Sequence, residues 1–122
     1  MRHIRSTDTT PELTVRRIVT RLGRRYRLHG KKLPGKPDLV FARDRKVIFV
    51  HGCFWHQHKN CIDGRLPKSN AAYWLPKLTR NRARDVENKR ALSRLGWRYL
   101  VLWECEIEQD EEKIGRRIEE FL

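Results

Sequence analysis

The stretch from Pro34 to Cys61 constrains the fold of this chain more than any other. Two short apolar runs, Asp38-Leu39-Val40-Phe41-Ala42 and Lys46-Val47-Ile48-Phe49-Val50, flank the turn Arg43-Asp44-Arg45. Such runs bounded by turn residues predict a hairpin, and the unbroken apolarity of the second predicts a strand buried on both faces. A carboxylate, Asp38, opens the first strand, and His51 follows the second. Gly52-Cys53-Phe54-Trp55-His56-Gln57-His58 comes next. A hairpin that gathers Asp, His and Cys at one end frames a metal site.

From His51 to Asn70 no period is sustained, and Gly64 and Pro67 argue for an irregular loop. Loops of about 20 residues inside small domains are usually functional or stapled. Cys53, His58 and Cys61 supply C-x4-H-x2-C spacing within it, and Cys105 lies just past the last predicted strand. A Cys3His set of this kind makes a closed, tetrahedral, structural Zn²⁺ site. The competing reading is three buried thiols beside an unrelated histidine.

Around this centre the expected order is α-β-β-β-α-β-α, a mixed sheet with helices packed on it. Thr10 and Pro11 mark a helix start, with Leu13, Ile18, Val19 and Leu22 as its apolar stripe and Gly23 as its stop. Tyr26 to His29 reads as a short edge strand. Ala71 to Leu95 reads as a long helix, with Pro76 in its first turn or marking its start, and Leu78, Val86, Leu92 and Leu95 facing the core. Trp97 to Trp103 reads as a buried strand, and Glu108 to Leu122 as one last helix with Ile114, Ile118 and Phe121 inward. One domain, residues 1–122, is expected, with residues 1–9 a flexible basic arm.

Lys and Arg number 28 against 15 acids, a net charge of +13. A balance this basic points to a phosphate-rich partner, nucleic acid above all, because contacted phosphates release counterions. No stretch approaches the roughly 20 apolar residues of a membrane span, and no signal-peptide pattern follows the N-terminus. A cytoplasmic location is therefore expected, and a reducing compartment disfavours disulfides among the 3 cysteines.

Asp38, His51 and His56 admit two readings. They form a Mg²⁺-dependent hydrolytic site, with carboxylate and backbone oxygens for the cation and a neutral His to activate water. Otherwise Asp38 caps a turn and the histidines are loop residues or zinc ligands. Phe54 and Trp55, followed on the long helix by Tyr73 and Trp74, sit among cations as stacking or wedging aromatics do, whereas Trp97, Trp103 and Phe49 read as core. Asp85, amid arginines, is either a salt-bridge partner or an orienter for a catalytic histidine.

These motifs together carry a family resemblance. Thr10-Pro11-Glu12, Leu33-Pro34-Gly35-Lys36-Pro37-Asp38, His51-Gly52-Cys53-Phe54-Trp55-His56, Tyr73-Trp74, Asn81, Arg84-Asp85 and Gly96-Trp97-Arg98 through Trp103-Glu104-Cys105 resemble the very short patch repair (Vsr) DNA mismatch endonucleases, over about residues 4–107. The resemblance implies a restriction-endonuclease-like α/β fold of the PD-(D/E)xK type with a structural zinc. It implies a monomer of the bacterial nucleoid that nicks double-stranded DNA 5′ of the T in a T:G mismatch, left by deamination of 5-methylcytosine. A cytosine-5 methyltransferase and a repair polymerase would be its functional companions. Asp38 and the Val50 carbonyl would hold Mg²⁺, His56 would be the general base and His51 would assist at the phosphate. Asp85 and Glu12 would support them. Phe54, Trp55 and Trp74 would intercalate beside the mismatch, and Cys53, His58, Cys61 and Cys105 would hold Zn²⁺. The chain departs from the family pattern at Val50, where members carry Thr. Two other classes compete: a nicking or restriction-type nuclease of different specificity, and a non-catalytic zinc-containing DNA-binding module.

Overall fold

The computed structural model describes residues 9–53 and 71–122. The chain order is α1 (Thr10–Arg21), β1 (Arg27–Leu28), β2 (Leu39–Phe41), β3 (Lys46–His51), α2 (Ala71–Arg94), β4 (Arg98–Trp103), α3 (Glu104–Gln109) and α4 (Glu111–Phe121). Most of the predicted arm and most of the His51–Asn70 loop lie outside the described residues.

The four strands form one mixed sheet in the order β1-β2-β3-β4. β1, β2 and β3 pair antiparallel, as the hairpin pattern predicts, with Leu39 opposite Ile48 and Val40 opposite Val47. β3 and β4 pair in parallel over six residues, from Lys46 beside Arg98 to His51 beside Trp103. Parallel strands need a crossover, and α2 provides it. It runs back from the end of the sheet that carries His51 and Trp103 to the start of β4.

Strand alternation divides the core in two. Leu39, Phe41, Ile48 and Leu102 pack under Val15, Ile18 and Val19 of α1, Ile107 of α3, and Ile114 and Ile118 of α4. Val40, Val47 and Phe49 face the other way, against Leu92 of α2, with Leu33, Trp97 and Val101 at the margin. Burial of β3 on both faces agrees with its unbroken apolar sequence.

Several expected details change. The N-cap of α1 is Thr9, whose hydroxyl accepts from the Glu12 N–H, so Thr10 is already helical. The inward stripe is Val15, Ile18 and Val19, while Leu13 and Leu22 are exposed. Pro76 lies inside α2, in its second turn rather than its first, where it cannot donate to the Ala72 carbonyl. Val86 and Leu95 are also exposed, at 49% and 55%. The inward face of α2 runs through Trp74, Leu78, Asn81, Asp85, Asn88 and Leu92, at alternating steps of four and three. Half of that face is polar, and Val86 lies about 100° away from it. The last helix is two helices, because Asp110 takes an extended conformation and caps a new start by accepting from the Lys113 N–H at 3.1 Å.

The junctions are made by local chemistry. At the end of α2, Gly96 takes φ 83°, the Trp97 N–H donates to the Leu92 carbonyl and the Gly96 N–H to that of Ser93. This paired closure by a left-handed glycine turns the chain straight into β4. Glu106 of α3 accepts from the Trp103 N–H, and Arg117 of α4 donates to both Glu106 and the Val101 carbonyl. The C-terminal helices are thereby tied to β4.

Candidate active site

Asp38 stands one residue before β2, where the Pro34–Pro37 turn delivers the chain to the sheet. Its N–H donates to the Ile48 carbonyl, and its carboxylate accepts from the Val50 N–H at 2.6 Å. The side chain thus joins the ladder of the hairpin that its sequence position opens. It does more than cap a turn, because a second carboxyl group meets it.

That second group is Glu12, in the first turn of α1 and only 1% exposed. It stands close enough to the Asp38 carboxyl to raise that group's pKa. Its Oε2 accepts from Arg16 Nη2 at 2.8 Å, and its Oε1 lies 3.2 Å from His29 Nε2. Two buried carboxyl groups so placed disfavour each other's charge. Burial is the main reason that the Asp38 pKa rises from 3.8 to about 8, with the nearby Glu12 carboxyl adding to it. The Val50 N–H and the Arg16 guanidinium oppose the rise. At neutral pH Asp38 therefore holds a proton that a divalent cation would displace. Oxygen donors of this kind suit a hard ion such as Mg²⁺.

His51 is 6% exposed and sits on the other face of β3, in line with Phe49. Its ring lies 5.4 Å from that of Phe49 and packs edge-on to Trp103 at 5.2 Å. Val50, whose carbonyl is the other expected cation ligand, is half-buried between the two groups. Asp85 is half-buried on the inward face of α2, one turn beyond Asn81. Trp74 is also half-buried, in an edge contact of 5.1 Å with Tyr73, which is 56% exposed and has Lys77 Nζ over its ring at 4.3 Å. The parallel crossover puts this end of α2 at the same end of the sheet as His51.

Cys53 is buried, and Cys105 is half-buried in the first turn of α3. His51 and Trp103 are register partners, and each cysteine lies two residues beyond one of them. The parallel pair therefore delivers both thiols to one end of the sheet, as a shared soft metal requires. Phe54, Trp55, His56, His58 and Cys61 lie outside the described residues. Among the described residues no group of three or more His, Cys, Asp or Glu forms a metal cluster.

Two members of the carboxylate cluster were not foreseen. Arg16 was not singled out among the 28 cations, although its i+4 spacing from Glu12 is a signal for a helical ion pair. His29 read as the end of an edge strand, and nothing local connects it to Glu12. Among the described residues no helix is long and apolar enough to cross a membrane.

Comparison with known proteins follows the same lines. The family model described as DNA mismatch endonuclease Vsr matches residues 1–62. Type II nicking enzyme V.XorIIP of Xanthomonas oryzae pv. oryzae is 52% identical over 107 residues, covering 88% of this chain and 78% of its own. Type II nicking enzyme V.NmeAIP of Neisseria meningitidis serogroup A is 41% identical, covering 99% of this chain and 88% of its own. DNA mismatch endonuclease Vsr of Escherichia coli K12 is 38% identical, covering 100% of this chain and 80% of its own.

Proposed function

This chain belongs to the Vsr family of DNA mismatch endonucleases, and from that premise we propose that it nicks one DNA strand 5′ of the T in a T:G mismatch. It is a nuclease acting on the phosphodiester bonds of DNA. The observation that carries the reading is Asp38, held by the Val50 N–H at 2.6 Å beside the buried carboxyl of Glu12, in a strongly basic protein. Binding alone has no use for buried acid beside phosphate, which disfavours the non-catalytic DNA-binding module.

Asp38, Glu12 and the Val50 carbonyl fit a Mg²⁺ ion as hard oxygen donors. When bound, such an ion neutralises developing charge on the phosphate and its leaving oxygen. His56 serves as the general base that takes the proton of the attacking water, and His51 assists at the phosphate. Buried packing between Phe49 and Trp103 holds the His51 ring in one orientation. Asp85 supports the histidines from α2. The products are a 5′-phosphate and a 3′-hydroxyl.

Phe54, Trp55 and Trp74 form the wedge that enters beside the mismatch. A T:G wobble is weakly stacked, so inserting an aromatic there costs less than at a paired step. Cys53, His58, Cys61 and Cys105 hold a structural Zn²⁺ that staples the intervening loop to the end of β4. The convergence of Cys53 and Cys105 at one end of the parallel pair supports this set.

A second reading has its own support. Two of the relatives are named as type II nicking enzymes, so the same scaffold in this chain can serve a different sequence context or lesion. Matched end-labelled duplexes with Mg²⁺, one carrying a single T:G and the other fully paired, separate the two. Nicking confined to the mismatched strand 5′ of T, abolished by EDTA, is expected. Cleavage of the paired duplex as well would replace the mismatch reading with the restriction-type one. Asp38→Ala should bind DNA but cut it at least about 100-fold more slowly, as loss of a metal ligand predicts.

A further inference from the structure

We propose that His29 is a positioning residue of the nuclease site, fixing the Glu12 carboxylate through its imidazole and the Asp38 backbone through its N–H. The proposal rests on the assignment of Asp38 and Glu12 made above and deepens it. Three independent features converge on His29. Its Nε2 lies 3.2 Å from Glu12 Oε1 and 3.3 Å from Arg16 Nη2. Its backbone N–H donates to the Asp38 carbonyl at 2.9 Å. Its φ is 52°, in the left-handed region that residues with a Cβ seldom adopt.

The conformation explains the combination. After β1 an ordinary extended residue would continue the strand, and its side chain would follow the alternation of the sheet. The left-handed turn at His29 breaks that alternation while its N–H still reaches the ladder, as does that of Gly30 to the Pro37 carbonyl. Strained backbone of this kind persists where surrounding contacts over-determine it, and functional sites are where it concentrates. Here the contacts are those that orient one carboxyl of the pair and the chain that carries the other.

Glu12 is consequently met on both oxygens, Oε2 by Arg16 and Oε1 by His29 whenever Nε2 carries a proton. Its carboxylate plane is set before any cation arrives, which is how outer residues tune a metal ligand. The two contacts of His29 Nε2 are alternatives: it donates to Glu12 or accepts from Arg16, and the tautomer selects. In either state the imidazole fills the space beside Glu12 and limits the rotation of both partners.

The test uses the full chain with His29→Gly and His29→Gln. Glycine removes the imidazole and accepts the left-handed backbone without strain. Glutamine returns an amide donor at about the reach of Nε2. For His29→Gly, kcat on a nickable duplex should fall about 10- to 100-fold with little change in KM. Binding of Mg²⁺ to the protein without DNA, followed by calorimetry, should weaken over the same range. His29→Gln should recover most of both. If glycine leaves kcat and Mg²⁺ affinity at the parent level, or if glutamine is as impaired as glycine, His29 does not position the site. If His29→Gly fails to fold, Arg16→Gln decides, since it loosens the same carboxylate from its other oxygen and should also weaken Mg²⁺ binding. Should the parent protein nick no duplex while binding Mg²⁺, the endonuclease assignment fails, and the calorimetric comparison still judges the brace.

Discussion

At the scale of single residues, the site is defined by an electrostatic conflict between Asp38 and Glu12. Because Asp38 titrates near 8 when folded and 3.8 when unfolded, the folded chain holds a proton that the unfolded chain has lost between those values. Its contribution to stability is therefore greatest below pH 3.8, declines as pH rises toward 8 and is flat above. Metal-free Asp38→Asn should remove that decline and raise stability at neutral pH by on the order of 2 kcal/mol. Denaturant titrations between pH 4 and 8, run in EDTA, compare the slopes. A parent protein that grows more stable over that window would contradict the buried-carboxyl account. Mg²⁺ binding near pH 7 should also release about one proton, read by calorimetry in buffers of different ionisation enthalpy.

At the scale of elements, the hairpin and the long helix were legible in the sequence because each carries a repeating signal, and the order of elements implied a mixed sheet without saying which strands pair in parallel. Asp38, Val50, His51 and Cys53 could be located from β2 and β3 alone. The inward face of α2 was not legible, since Asn81, Asp85 and Asn88 occupy it and the exposed Val86 and Leu95 imitate a core stripe. The join of Glu12 to His29 across 17 residues has no local signature either; it follows from how α1 lies on the sheet. The turn before Asp38 depends on α2 in the same way. Gly35 has φ 80°, and a Cβ there would sit 3.0 Å from the Phe49 ring and 3.2 Å from Asn88 Cβ. Gly35→Ala should therefore destabilise by about 1–3 kcal/mol, through strained backbone and overpacking together. A thermal melt with no loss of stability would mean that the turn is not docked on α2. The proposed zinc staple is an element-scale device as well. Chelation of the zinc, or Cys105→Ser, should lower the melting temperature and release metal into a colorimetric assay. A protein that carries no zinc as isolated would leave Cys53 and Cys105 as buried thiols.

Across the whole molecule, charge is divided unevenly along the chain. Residues 104–122 hold 8 of the 15 acids and 3 of the 28 cations, a net −5, and residues 1–103 carry +18. α3 and α4 pack with α1 on one face, while α2, with exposed Lys77, Arg80, Arg82, Arg84, Arg90 and Arg94, covers the other. On this distribution a duplex should approach from the α2 side and the end of the sheet where Trp74 and His51 lie, away from α4. The acidic helices thus contribute orientation as well as core. DNA affinity should fall steeply with salt, with a slope of log K on log salt of about −0.9 per phosphate contacted. Replacing Arg82 and Arg84 with Gln should make that slope shallower by one to two phosphates' worth, if both contact the backbone, and weaken matched and mismatched duplexes alike. Replacing Glu119 and Glu120 with Gln should leave the slope unchanged, because removing charge that faces away from the duplex adds no phosphate contact. Equal slopes for all three proteins would mean that α2 does not face the DNA, and the polarity of the molecule would then need another partner to explain it.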